Sequence, residues 1–83
     1  MKIEHDIKII GERCKRFRQL LQYRQIDVAR ETGYSIENIS GFENGRNDNG
    51  LIMLWYIAHG MTVGMILNDT VDKALGMKKE VKE

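Results

Sequence analysis

The stretch QIDVARETGYSIENISGFENG, residues 25–45, decides the fold of this chain. Val28 and Ala29 form the inward side of a short helical pattern, and Gly33 follows as a residue that readily adopts the left-handed conformation that ends a helix. Ser35 then offers a hydroxyl that accepts a hydrogen bond from a backbone N–H in the first turn of a new helix. The stretch therefore predicts two short helices, the first over residues 25–32, joined by a tight turn.

The second of these helices is expected to end at about Phe42 or Glu43. Ile39 and Phe42 lie three residues apart on its inward side, and Asn44 and Gly45 stop it because both residues tolerate a positive φ. Two such helices around a sharp turn form the helix-turn-helix arrangement, here predicted over residues 24–45. The outer side of the second helix in this arrangement is free to enter the major groove of DNA.

An apolar stripe predicts a helix before this stretch, at about residues 7–22. The stripe consists of Ile10, Cys14, Phe17 and Leu21. Lys15 and Arg16 lie on the opposite side of the helix, and Arg13 and Arg18 lie on its flanks. We therefore expect this helix to present positive charge to water.

The rest of the chain predicts further helices. Residues 51–59 are so poor in charge that we expect a mostly buried fourth helix, which Gly60 closes. Thr62 is expected to cap a short fifth helix, residues 69–75 fit a last helical turn or two, and the tail 76–83 is expected to fray. The fold class predicted is all-α, a bundle of about five short helices with the helix-turn-helix motif at its centre.

Length and composition predict one soluble domain over residues 1–83. The chain is 42% hydrophobic and 30% charged and has no proline, which is typical of a globular protein rather than a disordered chain. Its apolar runs are far shorter than the ~18–20 residues that span a bilayer, and its N-terminus does not resemble a signal peptide. We expect a cytoplasmic protein without a membrane segment.

The residue types that carry catalysis or bind metals are sparse. Cys14 is the single cysteine, and its place on an apolar stripe favours a small buried side chain over a nucleophile. His5 and His59 have no Ser or Cys partner at a recognised spacing, and no Cys/His cluster or glycine-rich phosphate loop occurs. The sequence predicts no enzyme, no metal site and no cofactor.

Eleven residues of the stretch fit one family pattern. The pattern is Q-x-x-[LV]-A-x-x-x-G-x-S-x-x-x-I-S-x-[IF]-E-N-G, and it begins at Gln25 and ends at Gly45. On these residues the chain resembles the lambda-repressor and Cro-like helix-turn-helix domains of phage and prophage regulators. The resemblance extends over residues 10–67. It implies a sequence-specific DNA-binding transcriptional regulator. Because one short recognition helix reads only a few base pairs, we expect the chain to act as a homodimer on two half-sites.

The resemblance also implies which residues contact double-stranded DNA. Gln25 is expected to meet the DNA backbone and to brace a side chain of the recognition helix. The outer side of that helix is expected to carry Ser35, Ile36, Glu37, Ser40, Gly41 and Asn44. Ser40 and Asn44 are the expected hydrogen-bonding readers, Ile36 suits a thymine methyl group, Glu37 suits a cytosine amino group, and Arg46 suits a phosphate.

The charge distribution leaves two functional interpretations open. Residues 1–34 carry eight Lys and Arg against five Asp and Glu, although the net charge of the chain is only +1. Candidate phosphate contacts are Arg13, Arg16, Arg24, Arg30 and Arg46. The recognition helix itself has no basic residue, which favours the alternative of a protein-interaction module, such as an antirepressor or inhibitor that does not bind DNA.

The apolar residues after position 50 favour self-association. The fourth and fifth helices and residues 63–77 are expected to form the surface that joins two copies. Trp55 and Tyr56 are expected to lie in the core or in that surface rather than to stack on bases.

Overall fold

A computed structural model describes residues 6–67, which form five α-helices and no strand. The helices are α1 (Ile7–Leu20), α2 (Gln25–Thr32), α3 (Ile36–Glu43), α4 (Gly50–Ala58) and α5 (Val63–Leu67). The predicted all-α bundle is confirmed for this part of the chain, and the predictions for residues 69–75 and 76–83 lie outside it. Within residues 6–67 no helix has both the length and the apolar content needed to cross a bilayer.

Side chains at the helix starts accept the backbone N–H groups that a helix leaves without partners. The predicted caps are confirmed: Ser35 Oγ accepts from Asn38 N at 3.1 Å, and Thr62 Oγ1 accepts from Met65 N at 3.1 Å. At the start of α2, where Arg24 is a poor cap, Asp27 Oδ2 accepts from the Arg24 backbone N–H at 2.8 Å. A carboxylate one turn into α2 thus fixes its beginning.

Residues with a positive φ end the helices. Gly33 has a φ of 83° and its N–H donates to Ala29 O at 2.9 Å, which confirms the turn predicted between α2 and α3. Gly45 has a φ of 76°, whereas Asn44 has a φ of −98° and so does not use the left-handed conformation. Helix α1 ends at Leu20 rather than near residue 22, and Gln22 has a φ of 64°.

The core lies among α1, α2, α3 and α4, and α5 packs against α1 at its side. Its buried apolar residues are Cys14, Phe17, Val28, Ala29, Ile39, Phe42, Ile52, Trp55, Tyr56, Met61 and Ile66. Gly11 lets α1 cross the end of α3 closely: a Cβ there would lie 2.5 Å from Phe42 O and 2.7 Å from Glu43 O. Contact between two backbones therefore sets the position of α3 on α1.

The expectation that α4 is mostly buried is wrong for the described residues. Ile52 and Tyr56 on its inner side are fully buried, but Leu51 is 63% exposed and Leu54 is 55% exposed. A helix that is apolar on two sides finds neighbours within residues 6–67 for only one of them. An absence of charge in a sequence does not indicate which side is covered.

The expectation that Arg13 and Arg18 face water is also wrong. Arg13 is 1% exposed and its Nη1 donates to Ile66 O at 2.9 Å, while Arg18 is 6% exposed and contacts Glu43. Each lies on a flank of α1 against which another part of the chain packs. Leu21, which was expected on the apolar stripe, is 41% exposed because it follows the end of the helix.

Candidate nucleic-acid interface

Helix α3 has a buried inner side and an exposed outer side. Ile39, Phe42 and Glu43 on the inner side are at most 2% exposed. On the outer side Ile36 is 44% exposed, and Glu37 is exposed as well. The inner residues attach α3 to the rest of the bundle, and the outer residues are available for contact with another molecule.

A buried carboxylate, Glu43, joins four helices at the inner side of α3. Its Oε2 accepts from Arg18 Nε of α1 at 2.8 Å and from the Tyr56 hydroxyl of α4 at 2.6 Å. Its Oε1 accepts from Arg18 Nη2 at 3.0 Å and from Gln25 Nε2 of α2 at 3.1 Å. A buried charge requires such compensation, because an unpaired one costs several kcal/mol.

Burial and the charge of Glu43 change the proton affinity of the neighbouring groups. Burial raises the pKa of the Tyr56 hydroxyl, and the Glu43 charge and hydrogen bond raise it further. Burial alone would lower the pKa of Arg18, but the hydrogen bonds and charge of Glu43 outweigh it and leave that pKa raised. The Arg18 guanidinium therefore stays charged and the Tyr56 hydroxyl stays protonated across the physiological range.

Cys14 lies in the same part of the core. It is fully buried, as the sequence predicts, and burial raises the pKa of its thiol to about 12, with a further contribution from the Glu43 charge. A thiol with this pKa is protonated at neutral pH and is a poor nucleophile. No group of three His, Cys, Asp or Glu residues within 6–67 is placed to hold a metal ion.

Gln25 takes part in the Glu43 contacts from the first turn of α2. Its side chain is partly buried and braces α3 through Glu43, on the inner side, rather than through a residue of the outer side. Gln25 was expected to brace a side chain of the recognition helix, but the sequence did not indicate that Glu43 is its partner. Arg18 and Tyr56 were not predicted as members of the same cluster.

The outer side of α3 carries a hydrogen-bonded pair one helical turn apart. Asn44 Nδ2 donates to Ser40 Oγ at 3.2 Å, with Ser40 half-buried and Asn44 exposed. Ser35 is exposed at the first turn, where its hydroxyl is engaged as the cap. The exposed residues predicted for this side thus lie along about two turns of one helix, with Ser40 partly covered.

The prediction for Gly41 is wrong, because this residue is buried. The loop after α3 folds over it, and a Cβ at Gly41 would lie 2.9 Å from Asn47 Nδ2. Asn47 Nδ2 in turn donates to Asn38 O at 3.4 Å. Arg46 begins this loop with its backbone N–H bonded to Gly41 O at 2.8 Å and is exposed, so a cation lies beside the end of α3.

The other arginines proposed for phosphate contact differ in availability. Arg13 is buried and is excluded as a surface contact. The Arg24 and Arg30 side chains are 74% and 67% exposed, but each lies within 3.5 Å of an oxygen of Asp27. Arg16 is partly buried, and its Nε has no hydrogen-bond partner among residues 6–67.

A basic residue that the sequence did not indicate, Lys8, has its backbone next to the end of α3. Lys8 in the first turn of α1 is exposed, and its Cα would lie 2.6 Å from a Cβ at Gly45. Only the close crossing of α1 and α3 brings Lys8 there. Lys8 and Arg46 both lie next to the residues that end α3.

Trp55 and Tyr56 belong to the core, as expected. Trp55 is 6% exposed, stacks on His59 at a ring separation of 3.9 Å, and donates from Nε1 to Glu31 Oε1 at 2.7 Å. Tyr56 is fully buried. Neither ring is available for stacking on a base.

Comparison with protein-family models, with curated proteins and with solved structures gave no match to this chain.

Proposed function

We propose that this chain is a sequence-specific DNA-binding transcriptional regulator that uses α3 as its recognition helix and acts as a homodimer. The observation that carries the proposal is the division of α3 into a fully anchored inner side and an exposed outer side with hydrogen-bonding groups. A helix that reads base edges must be held rigidly on its inner side and must present polar side chains on its outer side.

Glu43 supports this role by fixing α3. Its four hydrogen bonds connect α3 to α1, α2 and α4, so the helix has one position in the bundle. A recognition element that is ordered before binding loses less conformational entropy when it binds. We propose that Gln25 acts in this way as a bracing residue and approaches the DNA backbone with α2.

The outer side of α3 is proposed to contact base edges. Asn44 carries an amide that can donate and accept, as adenine recognition requires, and Ser40 adds a hydroxyl. Ile36 offers apolar contact to a thymine methyl group, and Glu37 accepts from a cytosine amino group. The N-terminal turn at Ser35 is proposed to approach the groove first.

Phosphate contacts are proposed for Arg46 and Lys8, which lie next to the end of α3. Such contacts set the position on the duplex and carry no sequence information. Because each neutralised phosphate adds a slope of about −0.9 to the dependence of log K on log salt, two contacts per chain predict a shallow salt dependence. Specificity is then expected to depend on base contacts to an unusual degree.

Selection from a library of randomised duplexes, followed by fluorescence anisotropy on the enriched sequence, tests the proposal. Asn44→Ala is expected to lower affinity for the enriched sequence at least about tenfold through the lost base contact. The control is Gln19→Ala, which removes a polar exposed side chain of α1 and is expected to leave affinity unchanged. Failure to enrich any sequence, together with no binding at micromolar protein, contradicts the proposal.

A protein-interaction module is the second candidate, and the charge of α3 is the observation that favours it. The helix has no basic residue, Glu37 is exposed, and Ile36 is 44% exposed, which suits a partly apolar protein partner. Glu37→Lys separates the candidates. If the natural chain binds no duplex and the Glu37→Lys chain does, repulsion by this carboxylate has removed DNA binding and the second candidate is favoured.

A further inference from the structure

Helix α2 and the residue before it carry two exposed arginines that share one carboxylate. The Arg24 side chain is 74% exposed, and its Nη2 lies 3.3 Å from Asp27 Oδ1. The Arg30 side chain is 67% exposed, and its Nη1 lies 3.5 Å from the same oxygen. Both guanidinium groups therefore lie on the surface of the protein, where another anion can reach them.

The two oxygens of Asp27 have different roles. Oδ2 accepts from the Arg24 backbone N–H at 2.8 Å, and this short contact fixes the start of α2. Oδ1 accepts from Arg24 Nη2 at 3.3 Å and from Arg30 Nη1 at 3.5 Å. One acceptor is enough for the backbone contact, and the amide oxygen of an asparagine would supply it as well. The negative charge of Asp27 therefore acts mainly on the two arginines.

We propose that Asp27 competes with DNA phosphates for Arg24 and Arg30, and so limits how strongly the chain binds duplexes of any sequence. The inference deepens the proposed function, and it rests on that function for the approach of α2 to the DNA backbone. Asp27 is then a positioning residue that acts on affinity through two arginines.

The place of α2 in the bundle brings Arg24 to the proposed interface. Gln25, the next residue, donates from Nε2 to Glu43 Oε1 at 3.1 Å, in the last turn of α3. The first turn of α2 thus lies at the end of α3 where Lys8 and Arg46 also lie. Arg24 therefore belongs to the same end of α3 as the two cations proposed to contact phosphates.

The other carboxylate of α2 is directed away from the arginines. Glu31 Oε1 accepts from Trp55 Nε1 of α4 at 2.7 Å and lies 3.6 Å from His59 Nε2. Glu31 therefore contacts α4, whereas Asp27 contacts the arginines. The Arg24, Asp27 and Arg30 side chains together carry a net charge of +1, which becomes +2 when Asp27 is replaced by a neutral residue.

The weakness of these ion pairs makes the competition measurable. Exposed ion pairs are weak because water screens them, and both guanidinium contacts are longer than the about 2.7–2.9 Å of strong charge-assisted hydrogen bonds. The Arg24 backbone hydrogen bond, and then the Arg24 side chain, lower the pKa of Asp27, so this carboxylate stays charged at neutral pH. Each arginine can thus reach a phosphate, but against an attraction that a neutral side chain would not exert.

Fluorescence anisotropy with a duplex of mixed sequence tests the inference, because it needs no enriched sequence. We expect Asp27→Asn to bind about three- to tenfold more tightly than the natural chain at about 50 mM salt. The dependence of log K on log salt is expected to steepen by up to about 0.9 for each arginine released. Loss of stability in α2 would lower the affinity, so a gain does not arise from a merely structural role.

The matched control is Glu31→Gln. It removes the same charge from the same helix and keeps an oxygen that can accept from Trp55 Nε1. Because Glu31 contacts α4 and not the arginines, we expect this variant to keep the salt dependence of the natural chain. An equal steepening in both variants would show that net charge alone is responsible, and would overturn the inference.

Replacement of both arginines tests whether the gain acts through them. In a chain with Arg24→Gln and Arg30→Gln, we expect Asp27→Asn to leave duplex affinity unchanged, because no guanidinium remains to be released. A gain that persists without the arginines would show direct repulsion between Asp27 and phosphates, and would overturn the inference. Natural affinity and salt dependence in Asp27→Asn itself would overturn it as well.

These measurements separate the inference from the proposed function. If no sequence is enriched but Asp27→Asn binds the mixed duplex more tightly, the inference is supported and sequence-specific reading is contradicted. If a sequence is enriched and both chains bind it equally, the proposed function is supported and the inference is overturned. If both hold, Asp27→Asn binds enriched and mixed duplexes more tightly by the same factor, since phosphate contacts do not read sequence. Absence of duplex binding in both chains overturns both.

Discussion

The two sides of α3 differ in how they use charge. The inner side holds Glu43, which is 1% exposed and hydrogen-bonded to three other helices. The outer side holds Glu37, which is exposed in the first turn of the same helix. Glu43 holds the helices of the bundle together, and Glu37 forms part of the exposed surface of α3.

In a helix of eight residues, the same residue type therefore has two different roles. A carboxylate in water contributes a few tenths of a kcal/mol through the helix dipole. A carboxylate in the core contributes to stability in another way, because without it its partners would be buried and unpaired. Substitutions on the two sides are therefore expected to separate stability from binding.

Glu43→Ala is expected to have the largest effect. It leaves the Arg18 guanidinium buried without its carboxylate, and removal of one partner of a buried ion pair costs about 3–5 kcal/mol. Because small domains have only a few kcal/mol of stability, the variant is expected to be largely unfolded at 25 °C. Urea unfolding followed by circular dichroism measures the loss.

The matched control is Glu37→Gln, on the other side of the same helix. Its effect on the free energy of unfolding is expected to stay below about 0.5 kcal/mol, as for most surface substitutions. Equal stability of the Glu43→Ala and natural chains would show that the two sides of α3 do not differ in this way.

Gly11→Ala is expected to have the next largest effect, and Gly41→Ala is its control. A Cβ at Gly11 would lie 2.5 Å from Phe42 O in another backbone, so α1 and α3 must separate. Overpacking of this kind costs about 1–3 kcal/mol.

The control site differs in what surrounds it. At Gly41 the nearest atom belongs to the flexible Asn47 side chain, so alanine fits there and stabilises the helix by about 0.5–1 kcal/mol relative to glycine. Thermal unfolding of both variants checks the predicted opposite signs.

Tyr56→Phe tests the contacts on the inner side of α3, because it removes one of the four hydrogen-bond donors to Glu43. Oε2 would lose its 2.6 Å hydrogen bond and keep only Arg18, at a cost of about 1–2 kcal/mol. Combination with Glu43→Gln in a double-mutant cycle measures the coupling between the two groups. Additive losses would contradict a direct contact between them.

Asp27→Asn is expected to have the smallest effect, and the effect depends on pH. The Arg24 backbone hydrogen bond, then the Arg24 side chain and the charge of Arg30, lower the pKa of Asp27. A lowered folded-state pKa stabilises the fold above the unfolded value of about 3.9, and the contribution is lost as pH falls through the folded value.

The natural chain should therefore be slightly more stable than Asp27→Asn at pH 6, and the difference should shrink as the pH falls below the unfolded-state value of about 3.9. Urea unfolding at a series of pH values from 6 downward measures it. The Asp27 carboxylate is partly exposed and its arginine partners are exposed, so the difference is expected to be small and to shrink in high salt. A difference that grows toward low pH would contradict the assigned cause.

Local signals made the fold predictable. Gly33, Ser35 and Thr62 act through their own backbone conformation or through a neighbour three residues away, so the sequence indicated where helices begin and end. The inward positions of Ile39 and Phe42 follow from the helical period alone. These features need no knowledge of which helices meet.

Long-range contacts made the rest unpredictable. Arg18 and Glu43 are 25 residues apart, and Arg13 and Ile66 are 53 apart, so no spacing rule places them together. The burial of Gly41 depends on a loop that folds back over α3. For the candidate site, the sequence indicated which helix is exposed and that Arg46 follows it, but not that Lys8 of α1 lies next to its end.

The residues that hold α3 and the residues it displays do not overlap, and this has a consequence for variation. Ile36, Glu37 and Asn44 can be exchanged as a set without disturbing the Glu43 hydrogen bonds or the Gly11 crossing. The same bundle can therefore carry a different outer surface, and natural relatives of this chain should diverge most at the positions of Ile36 and Glu37. A new preference for a partner would then arise from a few substitutions, without a new fold.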